Sequence, residues 1–327
     1  MCAISGRNCD CKSCVLRLIE HGKYPYDEFW MLLHQSDHQA PYDYRVASST
    51  AAMRRGELLI PNSFTTDENP QQLFKEIQCK FPLFPDFQPY RFVYHQTRRI
   101  GPRMPAKMML IYTAGSCTNN GQPNARGGFG FAFSSPGREN TRGCVRHALE
   151  SEGPFGHRTA ATCNRAELRG LIAALEYRCF YREGWDGLVI ATDSGYVKQG
   201  ATELVLNWVE NEWHNAKGDK VANKDLWKYL LRLLRKYAIH GCEIMIWQTT
   251  RDQNRLAGEL AKAGAQFETP ASWRSIRDPK LNDTVRLAAS CGPTKPEASF
   301  DEILRLFPKP PDTAIRDQAK SKAQSSV

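Results

Sequence analysis

Four cysteines crowd the start of the chain: Cys2, Cys9, Cys11 and Cys14 fall within 13 residues, with His21 close by. A Cys-x-Cys-x-x-Cys core is compact enough to hold Zn²⁺ in a tetrahedral thiolate site. A zinc module ordinarily uses two well-separated ligand pairs, and this is one crowded cluster. Free thiols are the expectation, with zinc as the alternative. Two acids further on also stand out. Glu167 lies near the start of a helical stretch, and Asp193 directly follows the apolar run LVIAT. Each has an ordinary role available. A Glu at a helix start complements the helix dipole, and an Asp after a strand caps the next helix.

The elements that must position these acids lie in the middle of the chain. MMLIYT (108–113) and FGFAFS (129–134) predict two strands, separated by the turn signals Asn119-Asn120-Gly121 and Gly127-Gly128. A third strand is expected within 143–150. Leu168, Leu171, Ile172 and Leu175 are at helical spacing and predict a helix over 164–181. LVIAT (188–192) reads as a short buried strand, 203–214 and 224–237 as helices, EIMIWQ (243–248) as a last strand and 254–266 as a last helix. Three strands in series, then helix, strand, helices, strand and helix give an α/β class. The sheet is expected to be mixed, with helices on its faces.

Either side of this region the pattern weakens. Residues 1–105 show two short helical stretches, around 15–19 and 26–35. Pro61, Pro70, Pro82, Pro85 and Pro89 then predict a partly irregular extension, either packed on the main domain or only partly ordered. Residues 271–327 are rich in Pro, Ser, Lys and Asp and read as a largely disordered tail, with one amphipathic stretch at SFDEILRLF (299–307). The three parts are therefore 1–105, 106–270 and 271–327.

Charge narrows the function less than it first suggests. The net charge is +9, but Lys/Arg against Asp/Glu counts are 13 to 11, 21 to 17 and 10 to 7 across the three parts. No basic arm stands out, so nucleic-acid binding is only hinted at. No apolar run approaches the roughly 20 residues of a membrane span. The start MCAISGRNCDCK lacks the apolar centre of a secretory signal. The expectation is an intracellular protein, cytoplasmic or nuclear, with no membrane partner.

Five blocks in register then resemble the ribonuclease H family, type 1. IYTAGSCTNNG (111–121) is similar to its first strand, which ends in Thr-Asp-Gly-Ser. CNRAELRGLIAALE (163–176) is similar to its Asn-x-x-Ala-Glu helix start, and LVIATDSGYV (188–197) to its second Asp motif. NKDLW (223–227) and NRLAGELAKAGA (254–265) resemble two later blocks. The resemblance implies a ribonuclease H-like fold: a five-stranded mixed sheet, three antiparallel strands followed by parallel ones, with helices on both faces.

That family hydrolyses the RNA strand of an RNA–DNA hybrid with two Mg²⁺ or Mn²⁺ ions held by a cluster of carboxylates. By resemblance Glu167 matches the helix Glu and Asp193 the second Asp. The first-strand Asp, which bridges both metals, is Ala114 here. The last-helix Asp is Gly258. Both losses fall on the nucleophile-side metal. A weak single metal site at Glu167 and Asp193 is the most that the resemblance leaves. Asp252 and Glu259 are the nearest acids that could substitute. Neither is expected to, since Glu259 is turned roughly 100° from position 258 and Asp252 lies in a loop.

The resemblance also places Asn119, Asn120 and Asn164 against the RNA strand, and Thr162 and Asn223 at a phosphate pocket for the DNA strand. Three of these have ordinary alternatives. Asn119 and Asn120 belong to a turn, and Asn223 is placed to cap the helix after it. NWVENEWHNAK (207–217) matches the family's Trp-bearing basic protrusion, but Glu210 and Glu212 stand where Lys is expected. Trp208 and Trp213 are expected to pack rather than to stack on bases.

The sequence thus points to a ribonuclease H-like, hybrid-binding protein with lost or strongly reduced cleavage. The alternatives are an active ribonuclease H with displaced carboxylates, and a non-catalytic scaffold that recruits a protein partner through its termini.

Overall fold

The computed structural model describes residues 58–79, 89–94, 107–137, 143–183 and 185–278. The cysteine cluster Cys2 to Cys14, His21, the two early helical stretches and 299–307 lie outside the described residues.

The centre is the expected mixed sheet. Strands β4 (Met108–Thr118), β5 (Arg126–Ala132) and β6 (Cys144–Ala148) form an antiparallel meander, and β7 (Gly187–Thr192) and β8 (Glu243–Gln248) add in parallel beyond β4. Helix α2 (Cys163–Tyr177) links β6 to β7, and α5 (Lys224–Ile239) leads into β8. Helix α6 (Arg255–Gly264) follows it. Between β7 and α5 the chain forms α3 (Gly195–Gln199), a π-turn at Gly200–Leu204 and α4 (Val205–Glu210). The last two stand in place of the single helix expected at 203–214.

The first part of the chain is more regular than its prolines imply. It supplies β1 (Asn62–Phe64), the short helix α1 (Pro70–Leu73), β2 (Phe74–Gln78) and β3 (Tyr90–Tyr94). β1 pairs in parallel with β8, and β3 pairs antiparallel with the start of β4, enlarging the five strands to eight. Three of the prolines, Pro61, Pro70 and Pro89, sit at boundaries, where they cost no ladder hydrogen bond. Pro61 precedes β1, Pro89 precedes β3, and Pro70 opens α1 behind a capping box made by Asn69 and Gln72. Among the described residues of this part, 58–79 and 89–94, regular elements alternate with short irregular links.

Alternation along the strands divides the core in two. Met109 and Ile111 of β4, Leu188 and Ile190 of β7, and Ile244 and Ile246 of β8 face α2 and α5. Met108, Leu110, Tyr112, Val189, Ala191, Met245 and Trp247 face α6 and the first segment's Phe64, Leu73 and Phe74. Both faces are covered, which is why these strands read as unbroken apolar runs.

Buried ion pairs fasten the flanking segments to this core. Arg91 of β3 meets Glu183 at 3.1 Å, and Arg178 bridges Glu183 at 2.6 Å and Asp278 at 2.7 Å. Arg169, fully buried in α2, binds Glu150 at 2.8 Å and Glu176 at 3.2 Å. The same guanidinium donates to the Arg274 carbonyl at 2.7 Å and lies 3.8 Å from the Trp273 ring centre. The folded unit therefore continues to residue 278, past the expected boundary at 270.

Candidate active site

Glu167 lies in the second turn of α2, where that helix crosses the end of β4. The approach is close enough that a Cβ on Gly115 would come within 2.0 Å of the Glu167 nitrogen. Only glycine fits there, and its backbone N–H donates to the Glu167 carboxylate. The Oε2 atom is buried without a hydrogen-bond partner. Burial pushes the carboxyl up to about 8, and the negative charge of Asp193 adds to the rise. The Gly115 hydrogen bond and the Arg251 charge oppose it. A Glu serving only the helix dipole would be solvated and favoured as an anion. This one is enclosed, next to a second acid.

Asp193 follows β7 but does not cap the next helix. Ser194 does that, accepting from the Val197 N–H at 3.3 Å. Asp193 Oδ1 instead accepts from Asn254 Nδ2 at 2.6 Å, and the same amide donates to the Thr113 carbonyl at 2.9 Å. Asn254 stands at the start of α6 and is buried; its Oδ1 has no partner. One amide thus ties β4, β7 and α6 together at the point where their ends converge.

The other two positions carry no acid. Ala114 is buried within the α6-side core. A Cβ added at Gly258 would meet nothing within 4 Å, so the space for a side chain is open. Neither neighbouring acid fills the gap: Glu259 pairs with Arg255 on the outer surface at 2.7 Å, and Asp252 is exposed. Among the described residues, no three His, Cys, Asp or Glu side chains converge into a metal-binding group. Two carboxylates and partnerless buried oxygens on Glu167 and Asn254 suit one hydrated, oxygen-loving cation. They do not suit two.

The polar residues expected to meet nucleic acid surround the first turn of α2. Asn120 Oδ1 accepts from the Cys163 N–H at 3.0 Å, and Thr162 caps the helix by accepting from the Arg165 N–H at 3.2 Å. Asn164 is exposed beside them, as is Asn119, which adopts a left-handed turn conformation at φ 53°. Asn223 begins α5 but its side chain makes no cap. It accepts from Arg165 Nη1 at 3.3 Å and donates to the Tyr196 hydroxyl at 3.1 Å, so the capping alternative fails. Arg165 also binds Asp225 at 2.6 Å. Trp213 is buried, with Lys224 and Lys228 each 5.9 Å from its ring centre, and Trp208 packs on Trp227. Both tryptophans pack in the fold, as expected. Glu210 and Glu212 are exposed.

The family pattern described as RNase H matches residues 106–266. The ribonuclease H of Proteus mirabilis is 34% identical over 163 residues, covering 50% of this chain and 90% of that protein. That of Actinobacillus succinogenes is 33% identical over 163 residues, covering 50% and 93%. The chain belongs to the RNase H family. Among solved structures, the PFV RNase H domain aligns at 20% identity and a TM-score of 0.35, covering 48% of this chain and 93% of that one. A type 1 RNase H with the type 2 active-site motif aligns at 26% identity and a TM-score of 0.32, covering 50% and 74%. The assignment rests on the family pattern and the sequence relatives.

In this RNase H family chain, sequence reasoning misses Asn254, Arg165 and Arg251 as residues of the site. Asn254 is the first residue of a family block, but its contact with Asp193 spans 61 positions and has no local signature. Arg165 has the pattern of a surface residue at a helix start. Its partners on α5 lie 58 and 60 positions away.

Proposed function

We propose that this RNase H family chain binds RNA–DNA hybrids and has lost or strongly reduced strand cleavage. The observation that carries the reading is the pair Ala114 and Gly258: a buried methyl and an open space where two-metal hydrolysis needs carboxylates. Two-metal catalysis stabilises the attacking water and the leaving oxygen separately, with ions about 4 Å apart. Here the remaining acids, Glu167 and Asp193, stand together on one side. They would hold a single Mg²⁺ or Mn²⁺, which when bound would neutralise phosphate charge. The chain's own groups would do the rest of the binding. Asn119, Asn120 and Asn164 supply amides suited to 2′-hydroxyls, and Thr162 and Asn223 supply polar contacts to a DNA-strand phosphate.

The test is hybrid binding and cleavage by the full chain with Mg²⁺ and with Mn²⁺. Salt-dependent binding without turnover is expected. Turnover that disappears in Glu167→Gln would overturn the reading in favour of an active enzyme with displaced carboxylates. Ala114→Asp combined with Gly258→Asp is expected to raise cleavage above background. A folded double variant that binds hybrid yet stays inert would show that more than the two acids has been lost.

A further inference from the structure

Where α2 meets the end of β4, two thiols face one another. Cys117 is the tenth residue of β4 and Cys163 the first of α2. The Cys163 sulfur lies 3.9 Å from the Cys117 carbonyl oxygen, and the Cys117 sulfur lies 3.5 Å from the Thr118 carbonyl oxygen, so both thiols stand where the strand end meets the first turn of α2. Both are partly exposed free thiols. Neither has a part in the hybrid binding or metal binding proposed for this chain.

We propose that Cys117 and Cys163 are a disulfide-forming modification site that reshapes the turn carrying Asn119 and Asn120. An S–S bond of about 2.05 Å requires the two sulfurs to close to bonding distance. The helix cannot supply that movement, because Gly115 already lies against the Ala166–Glu167 backbone with no room for a Cβ. The movement falls on the strand end and the turn after it. That turn is tied to Cys163 through the Asn120 hydrogen bond, and it holds Asn119 in its left-handed conformation.

With hydrogen peroxide as oxidant the chemistry balances. One sulfur, as thiolate, attacks a peroxide oxygen, giving a sulfenic acid and, after protonation, water. The second sulfur attacks the sulfenic sulfur, the S–S bond forms, and the hydroxyl leaves as a second water. Two thiols lose two electrons and two protons, and the peroxide takes both. The effect on substrate rests on the hybrid-binding reading; the crosslink itself does not.

The full chain is treated with hydrogen peroxide, remaining thiols are alkylated, and tryptic peptides are mapped without reduction. The expected product links peptide 108–126 to peptide 159–165, each of which holds one cysteine. Its mass should be two hydrogens below the sum of the two, and dithiothreitol should reverse it. Hybrid affinity is expected to fall about fivefold or more on oxidation, the size of one lost polar contact. Cys163→Ser should keep its affinity under peroxide. Finding both cysteines alkylated, or oxidised separately, overturns the site. A clean crosslink with unchanged affinity overturns its control of the turn. A reduced chain that binds no hybrid overturns the functional reading instead, and the peptide map still decides the crosslink.

Discussion

Asn254 donates to Asp193 at 2.6 Å from the start of α6, and this contact holds one retained acid in place with a neutral amide. The second hydrogen of that amide goes to the Thr113 carbonyl, one residue before Ala114. A protein amide therefore helps to orient this carboxylate.

Replacing Asn254 with Ala should remove both bonds at once and leave a buried carbonyl and a carboxylate without their donor. The expected cost is about 1–3 kcal/mol. It would be read as a lower urea midpoint at unchanged slope. An unchanged midpoint would show that the contact contributes nothing to the fold.

Glu167 gives stability a pH dependence with a definite sign. Its folded-state value of about 8 lies above the ordinary 4.5. As pH rises through that window, the unfolded chain gives up this proton before the folded chain does, so stability should fall from pH 4.5 to 8. In Glu167→Gln this component of the fall disappears. At pH 8.5 with divalent ions chelated, the variant should be the more stable, by on the order of 3 kcal/mol. Parallel pH profiles for the two proteins would contradict an enclosed, protonated Glu167.

The buried Arg169 should be among the most sensitive positions in the chain. Arg169→Ala leaves Glu150 and Glu176 facing each other without their counter-ion, at an expected cost of about 3–5 kcal/mol. By the same reasoning, a chain ending at Gln266 loses Trp273, the Arg274 carbonyl and Asp278. It should melt below one ending at residue 278. Equal melting temperatures would place the later segment outside the cooperative unit.

Glu210 and Glu212 are exposed at the end of α4 and just beyond it. Changing both to Lys should tighten hybrid binding severalfold at low salt. It should also steepen the dependence of log K on log salt by about 1 to 2. If affinity rises with no change in slope, the new lysines do not meet phosphate.

Much of this protein is legible in its sequence alone. The β4, β7 and β8 runs, the helical spacing of α2 and the five motif blocks depend on periodicity and local order, which the chain states directly. They determine the five central strands and the family. Pro61 and Pro89 mark strand boundaries within a stretch read as irregular, because pairing with β8 and β4 is a property of the whole sheet.

What only the tertiary structure decides is where polar side chains find their partners. Asn223 has the position of a cap and instead joins Arg165 and Tyr196. Asp193 has the position of a cap and instead receives Asn254. Arg91 and Glu183 lie 92 positions apart and meet in the interior. A buried charge or amide must be satisfied by whatever the fold brings within about 3 Å. No spacing in the sequence records which residue that is.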